Sequence, residues 1–399
     1  MCSSRCVVIS LAPFVAAAVL VTVGCSEPLE FAEWTIPVAE GTEIIGYPAV
    51  PLNERDDARG ALTEDLVIRS RGDDERYLLY RPRDLDIGAG GEMYVLDAGN
   101  SRVLVYDRNG EHLRTLGRRG QGPGELLRPT AAAIVGDRYV VNDGGTRLLV
   151  WSTTGEYLEE HIIEARLSVP RPFVGLSDAP ELLATFTRGG GGDVRRASAE
   201  GRLRYALARV PIDGGEPRIL FDLPAKLIIL SSDSTPLEVS EARSFAAAPD
   251  GISYFTEGDQ YQILSLDGEG AARWALRVAW ERQPYSEEEI AYHLANARKD
   301  NPALTRADVE IAEAPPTLSH MQVDGHGHLY VFLRTFRTAE DAAEELPVDV
   351  YDAGGNRLFA GTVPELFWRA VSGDFVYAFV YDRQADEQTI VRFRLDEPF

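Results

Sequence analysis

A segment of this chain repeats itself at a fixed spacing, and no other feature constrains its fold as much. The stretch GEMYVLDAGNSRVLVYDRNGEHL, from Gly91 to Leu113, aligns without a gap on GDRYVVNDGGTRLLVWSTTGEYL, which begins at Gly136, an offset of 45 residues. Gly91, Tyr94, Val95, Gly99, Arg102, Leu104, Val105, Gly110, Glu111 and Leu113 match their counterparts. Within a copy, Met93–Leu96 and Val103–Tyr106 are short runs of β-branched and aromatic residues bounded by Gly, Asn and Asp. That is the pattern of antiparallel strands joined by tight turns. Asp97-Ala98-Gly99-Asn100 and Asp107-Arg108-Asn109-Gly110 supply the turns, and His112–Leu116 reads as a third strand.

Further copies start at Gly251 (GISYFTEGDQYQILSLDGEG) and Gly327 (GHLYVF, resuming at VYDAGGNRLF from Val350), and weaker ones at Glu181 and Gly373. The starts 91, 136, 181, 251, 327 and 373 are separated by 45, 45, 70, 76 and 46 residues. Each long interval reads as one unit plus an insertion. All-β units of this length cannot bury their faces alone and must pack on one another. The expected fold is therefore an all-β, six-bladed β-propeller with four strands per blade. Seven blades is the alternative count.

The core GEMYVLDAGNSRVLVYDRNGEHL and the following GRRGQGPGELLRP resemble the NHL-repeat family of β-propellers, over Pro82–Leu158 and again over Ser244–Gly270. The family's D-x-x-N-x-R core is met by Asp97, Asn100 and Arg102. The second copy departs from it with Asn142, Gly145 and Arg147, and the third with Glu257, Gln260 and Gln262. The family holds enzymes, scaffolds and nucleic-acid binders, so the resemblance implies a fold and not an activity.

The three cysteines, Cys2, Cys6 and Cys25, all lie in the first 25 residues, so the folded part carries no disulfide and no thiolate ligand. Residues 7–24 are free of charge and follow Arg5, as in a secretory signal. The run ends in TVGCSE, which resembles a bacterial lipobox, with Gly24 and Cys25 matching and Thr22 departing from the usual larger aliphatic residue. The resemblance implies lipidation of Cys25, and Ser26 after it implies the outer membrane. An ordinary cleaved signal or an uncleaved anchor is the competing reading. The expected organisation is a lipoprotein signal peptide at 1–24, a tether at 25–63 and the propeller at 64–399, with a helical insertion at 280–316.

Residues Glu64–Ser70 and Arg76–Tyr80 read as strands ahead of the first clear repeat. The last repeat, Trp368–Leu395, supplies only three strands. A borrowed N-terminal strand would complete it and remove an open edge. In the insertion, Ser286-Glu287-Glu288-Glu289 reads as a capping box, with Ile290 and Leu294 on one helix face. A second short helix is expected at Thr305. The insertion suits a lid or partner platform, or packing over the blade loops, and the sequence leaves both open.

Formal charge is 40 − 63 = −23. That speaks against a nucleic-acid or anionic-membrane surface, which would repel it, so the only membrane contact expected is the N-terminal lipid. Three local clusters invite a site. Arg118, Arg119 and Arg128 in GRRGQGPGELLRP suit a carboxylate or anion clamp, and the glycines there also suit an inter-blade crossover. His320, His326 and His328 near Asp324 are imidazole and carboxylate groups that suit zinc or copper, in a stretch that also aligns with the turn before a repeat's tyrosine strand. Arg188–Asp193, RGGGGD, lacks the Lys-Ser/Thr of a P-loop and reads as a loop. Arg102 and Arg147, with Asp97 and Asn142, recur at equal positions and read as struts within the repeat. No G-x-S-x-G, H-E-x-x-H, Walker or EF-hand spacing occurs. The reading is an envelope-anchored, monomeric propeller binding an envelope protein, small ligand or glycan, without a catalytic residue or cofactor. The alternative is an axial-channel hydrolase or lyase of the lactonase or amidating-lyase type using calcium or zinc.

Overall fold

The structure, a computed structural model, describes residues 6–8, 29–57, 62–163, 173–188, 204–224, 229–232, 235–239, 244–300, 302–303, 305–306, 314–335, 345–364, 367–382 and 387–395. Six antiparallel blades follow one another along the chain. Blades I and II comprise Asp84–Ile87, Met93–Asp97, Arg102–Tyr106, His112–Leu116 and Pro129–Val135, Arg138–Asp143, Arg147–Ser152, Tyr157–Ile162. Blade III comprises Phe173–Gly175, Glu181–Arg188, Arg204–Pro211 and Arg218–Pro224, and blade IV Ser244–Ala247, Ser253–Thr256, Gln262–Leu266 and Ala272–Ala279. Blade V is Leu318–Val323, Leu329–Leu333, Glu345–Tyr351 and Arg357–Pro364, and blade VI begins with Phe367–Ser372, Phe375–Asp382 and Glu387–Leu395.

The fourth strand of blade VI is N-terminal. Leu62–Ile68 pairs antiparallel with Glu387–Leu395, from Ile390↔Ile68 to Leu395↔Leu62. The borrowed strand closes the ring, as the three-stranded last repeat requires. Arg76–Tyr80, the other candidate, is not a strand: Glu75–Tyr77 forms a 3-10 turn capped by Asp74.

The core lies between blades. Six apolar clusters occur, one at each junction around the ring. The alternation read in the sequence explains this, because the two faces of each blade must both be covered. Packing at the axis is close enough to demand glycine. A Cβ on Gly175 in the innermost strand of blade III would lie 1.7 Å from the Ile134 carbonyl oxygen of blade II.

The segment expected to act as a tether does more. Glu43–Pro48 runs parallel to the outer strand of blade IV, and Asp56–Asp57 runs parallel to that of blade V. Ile45 and Tyr47 are buried in the junction of blades IV and V. Tyr47 donates to the Gly355 carbonyl at 2.9 Å. The N-terminal segment is thus a belt across the outer edges of blades IV, V and VI. Arg55 fixes it, reaching Asp349 at 2.7 Å with both side chains only 1% exposed. The apolar pairs Ile44-Ile45 and Ala49-Val50 give only a weak strand signal between Gly41 and Pro51, which is why the sequence reads as linker.

Candidate functional site

The direction of the strands sorts every connection onto one of two faces. One face carries the turns after the first and third strand of each blade. These span at most six residues, as at 212–217. The other face carries the connections after the second strand and the crossovers between blades, up to the 38 residues of 280–317.

The short-turn face is built from one recurring device. Asp107, Asp267, Asp324 and Asp352 each accept backbone N–H groups two and four residues on, at 2.8–2.9 Å. The fourth residue of each turn is a glycine at positive φ, Gly110 (84°), Gly270 (84°), Gly327 (83°) and Gly355 (79°). The histidine stretch belongs to this set. Asp324 holds the N–H groups of His326 and His328, the His328 ring at 3.0 Å and the Tyr330 hydroxyl at 3.2 Å. Burial, reinforced by Asp324, raises the pKa of Tyr330 well above its ordinary value. His320 lies on the strand before this turn, Leu318–Val323, near the end away from it, stacked on Phe332 at 4.2 Å. The three imidazoles are therefore not brought together, and no group of three or more metal-ligating side chains occurs among the described residues.

The elaborated face holds the rest. Helix α1, Glu287–Asp300, stands in the crossover between blades IV and V. Its Ser286 cap accepts the Glu289 N–H at 3.1 Å. The capping box is only half made, because the buried Glu289 carboxylate turns instead to Arg334 at the end of blade V's second strand, at 2.5 Å. That ion pair pins the helix to this face. Most of the second helix expected from Thr305, and the glycines of Arg188–Asp193, lie outside the described residues, as does Cys25 with nearly all of the signal segment.

The arginine-rich crossover from blade I to blade II is also here. Arg118 pairs with Glu125 at 2.8 Å, and Glu125 accepts the Gly122 N–H at 2.9 Å. These donors, the backbone one first, hold the Glu125 pKa below the usual carboxylate range. Arg118 is thus occupied by the loop itself, and Arg119 is exposed. Asp143 accepts the N–H groups of Leu127 and Arg128, at 3.1 and 2.5 Å. The exposed Arg128 guanidinium is left along the turn at Gly144.

Both repeat arginines bond within the fold. Arg102 binds Asp97 at 2.8 Å and the carbonyls of Glu75 and Leu78. Arg147 binds the carbonyls of Gly122 and Glu125. Its carboxylates are Asp143 at 3.2 Å and Glu160 at 2.5 Å. Asn142 stands at the repeat position of Asp97, but Asp143, one residue on, does the pairing. Asn142 Oδ1 accepts the Gly145 N–H, and its buried Nδ2 has no partner.

All innermost strands start on this face. Here blades II, V and VI share a distortion: the register of the innermost strand slips, bulging Thr130, Ser319 and Arg369 respectively. Such bulges re-aim side chains. The Arg369 guanidinium lies 5.4 Å from the Phe379 ring centre. In blade I, Arg83 leads into the strand, its N–H on the Leu96 carbonyl. Asp84 behind it is buried and structural, accepting the N–H of Leu85 at 3.2 Å and of Ala132 in blade II at 3.1 Å. Sequence reading passed over Arg83 and Arg369. Arg83 and Arg128 each directly precede an innermost strand, and Arg369 is the third residue of one.

Comparison with known proteins agrees on the architecture. Residues 75–169 match a family model described as DUF5128, 6-bladed beta-propeller. A protein of Bacteroides fragilis NCTC 9343 named as exported is 13% identical, with 89% of this chain and 100% of that chain covered and a TM-score of 0.51. A member of the DUF4221 family from Bacteroides vulgatus ATCC 8482 is 12% identical, over 84% and 97% of the two chains, with a TM-score of 0.51. At these identities the likeness is one of fold. No curated protein matches the sequence.

Proposed function

We propose that this propeller is an envelope-anchored lipoprotein that binds a ligand or partner protein on its crossover face. The observation that carries the reading is the one-sided elaboration of the disc. Eleven short turns close one face, whereas every long connection, helix α1 and the bulged strand starts occupy the other. Loops cost little stability and can carry specificity when a rigid scaffold positions them. The repeats resemble NHL repeats, and the lipobox-like TVGCSE supports attachment through Cys25. The belt, whose first strand starts at Glu43 on blade IV, would bring that blade closest to the membrane.

Hydrogen exchange of the purified protein with and without native envelope extract tests the reading. Protection is expected in 98–101, 117–128, 257–261 and 280–300. Protection confined to the Asp–Gly turns of the other face contradicts it.

A further inference from the structure

Resting on that reading of the crossover face, we propose that blade I carries an acidic-sugar site there, built from Tyr80 and Arg81. Tyr80 is 53% exposed. The exposed Arg81 guanidinium lies over its ring, 5.2 Å from the centre. Among the described residues no carboxylate or carbonyl takes up that guanidinium.

Backbone strain is concentrated at this point. Of the described non-glycine residues, Arg81 (φ 51°) and Ser101 (φ 56°) alone have positive φ. A side chain there costs free energy that glycine would avoid, and such costs gather at functional sites. Pro82 adds to the cost at Arg81, since the residue before a proline favours extended backbone. The two outliers belong to segments in direct contact. Tyr80 donates its N–H to the buried Asp97 carboxylate at 2.7 Å, and its carbonyl accepts the Gly99 N–H at 2.8 Å. Arg102 grips the same segment at the Glu75 and Leu78 carbonyls, at 2.7 and 2.8 Å. The Tyr80 ring lies so close to the turn that a Cβ on Gly99 would come within 2.3 Å of it.

Blade II has the same fastening without the strain. Asp143 accepts the Arg128 N–H, and the Gly144 N–H meets the Arg128 carbonyl at 2.9 Å. There Pro129 follows Arg128, and the positive φ angles of the turn fall on Gly144 (74°) and Gly145 (91°). The fastening therefore does not require a strained side chain. Blade I keeps one at Arg81, and the result is a guanidinium set over an exposed ring.

That pair sets the ligand chemistry. A tyrosine ring offers an apolar face to the C–H face of a pyranose. A guanidinium pairs with a carboxylate through two parallel bonds. A uronic acid carries both groups within one sugar residue. A neutral sugar would cover the guanidinium without giving it an anionic acceptor, which costs affinity.

Calorimetric titration of the full-length detergent-solubilised protein tests the proposal, with trigalacturonate as the probe, maltotriose as the uncharged sugar and triglutamate as the acidic peptide. Trigalacturonate is expected to bind at least about tenfold more tightly than either. Tyr80→Ala and Arg81→Asn should each weaken it by at least about tenfold, and Tyr80→Phe should keep it. Asparagine accepts positive φ, so Arg81→Asn should melt no lower than wild type. A lower melting temperature would make Arg81 a support of the fold and overturn the argument from strain. No heat with trigalacturonate overturns the proposal, as does binding indifferent to Tyr80→Ala and Arg81→Asn. Equal affinity for maltotriose, or tighter binding of triglutamate, overturns the acidic sugar. Hydrogen exchange on the same samples separates this site from the face that holds it. Protection by trigalacturonate at 257–261 or 280–300, but not at 75–83 and 98–101, leaves the crossover face standing and removes the site. Protection confined to the Asp–Gly turns removes both.

Discussion

Asp349→Ala tests how the N-terminal belt is held. Asp349 is buried in blade V between the Arg55 guanidinium at 2.7 Å and the Tyr261 hydroxyl at 2.6 Å, with Tyr351 at 3.4 Å. Arg55 is 1% exposed, and its Nε and Nη2 already have no hydrogen-bond partner. Removing the carboxylate strands a charge where water cannot reach it, which costs about 3–5 kcal/mol. With an unfolding entropy of roughly 2.1 cal/mol/K per residue, a chain of 399 residues loses about 4–6 °C in melting temperature. Thermal melting and urea titration read the loss. The double variant Arg55→Met/Asp349→Leu removes both charges at similar volume and should cost less than Asp349→Ala alone. A single variant melting within 1 °C of wild type, or a double variant worse than the single, would refute a buried lock on the belt.

Four further outcomes are expected. Deleting residues 26–40 should leave a monomer, whereas deleting 26–70 removes Leu62–Ile68 and opens blade VI. Size exclusion should then show aggregates, and an unchanged monomer peak would mean the ring closes otherwise. Arg102→Ala should cost about 1.5–3 kcal/mol in urea unfolding, because Asp97 keeps the N–H of Tyr80 and the Asn100 amide; wild-type stability would reassign Arg102 from strut to surface. Cys25→Ser should abolish incorporation of labelled fatty acid, and undiminished label would end the lipoprotein reading. His112 has its pKa lowered, chiefly by burial. Its neutral form is favoured in the fold, so the contribution is complete above the unfolded value near 6.5 and is lost as pH falls below it. His112→Gln should therefore flatten the decline of melting temperature between about pH 7 and 5, and an unchanged slope would place the acid sensitivity elsewhere.

The repeat was legible because a four-stranded unit needs turn residues at fixed offsets. Asp107, Gly110, Asp352 and Gly355 mark those turns in the sequence as plainly as in the structure. Closure was legible too, since a final repeat of three strands must take its fourth from elsewhere. The belt was not. Glu43–Pro48 gains its order from the outer strand of blade IV, and a parallel partner some 230 residues away leaves no local pattern. The site was only partly readable. Arg118, Arg119 and Arg128 are neighbours in sequence, but Glu125 takes up Arg118, and only Arg128 leads into an innermost strand. His320 and His328 look like one cluster until the extended strand separates them.

The central claim is that the crossover face, and not the face of Asp–Gly turns, meets the ligand. A photo-reactive amino acid at Arg128 tests it directly, with the same residue at Arg108 in a turn of the opposite face as control. After irradiation in intact cells, the protein is recovered and its mass measured. The account predicts an adduct, small or macromolecular, from position 128 and none from position 108. An adduct from position 108 alone would contradict it.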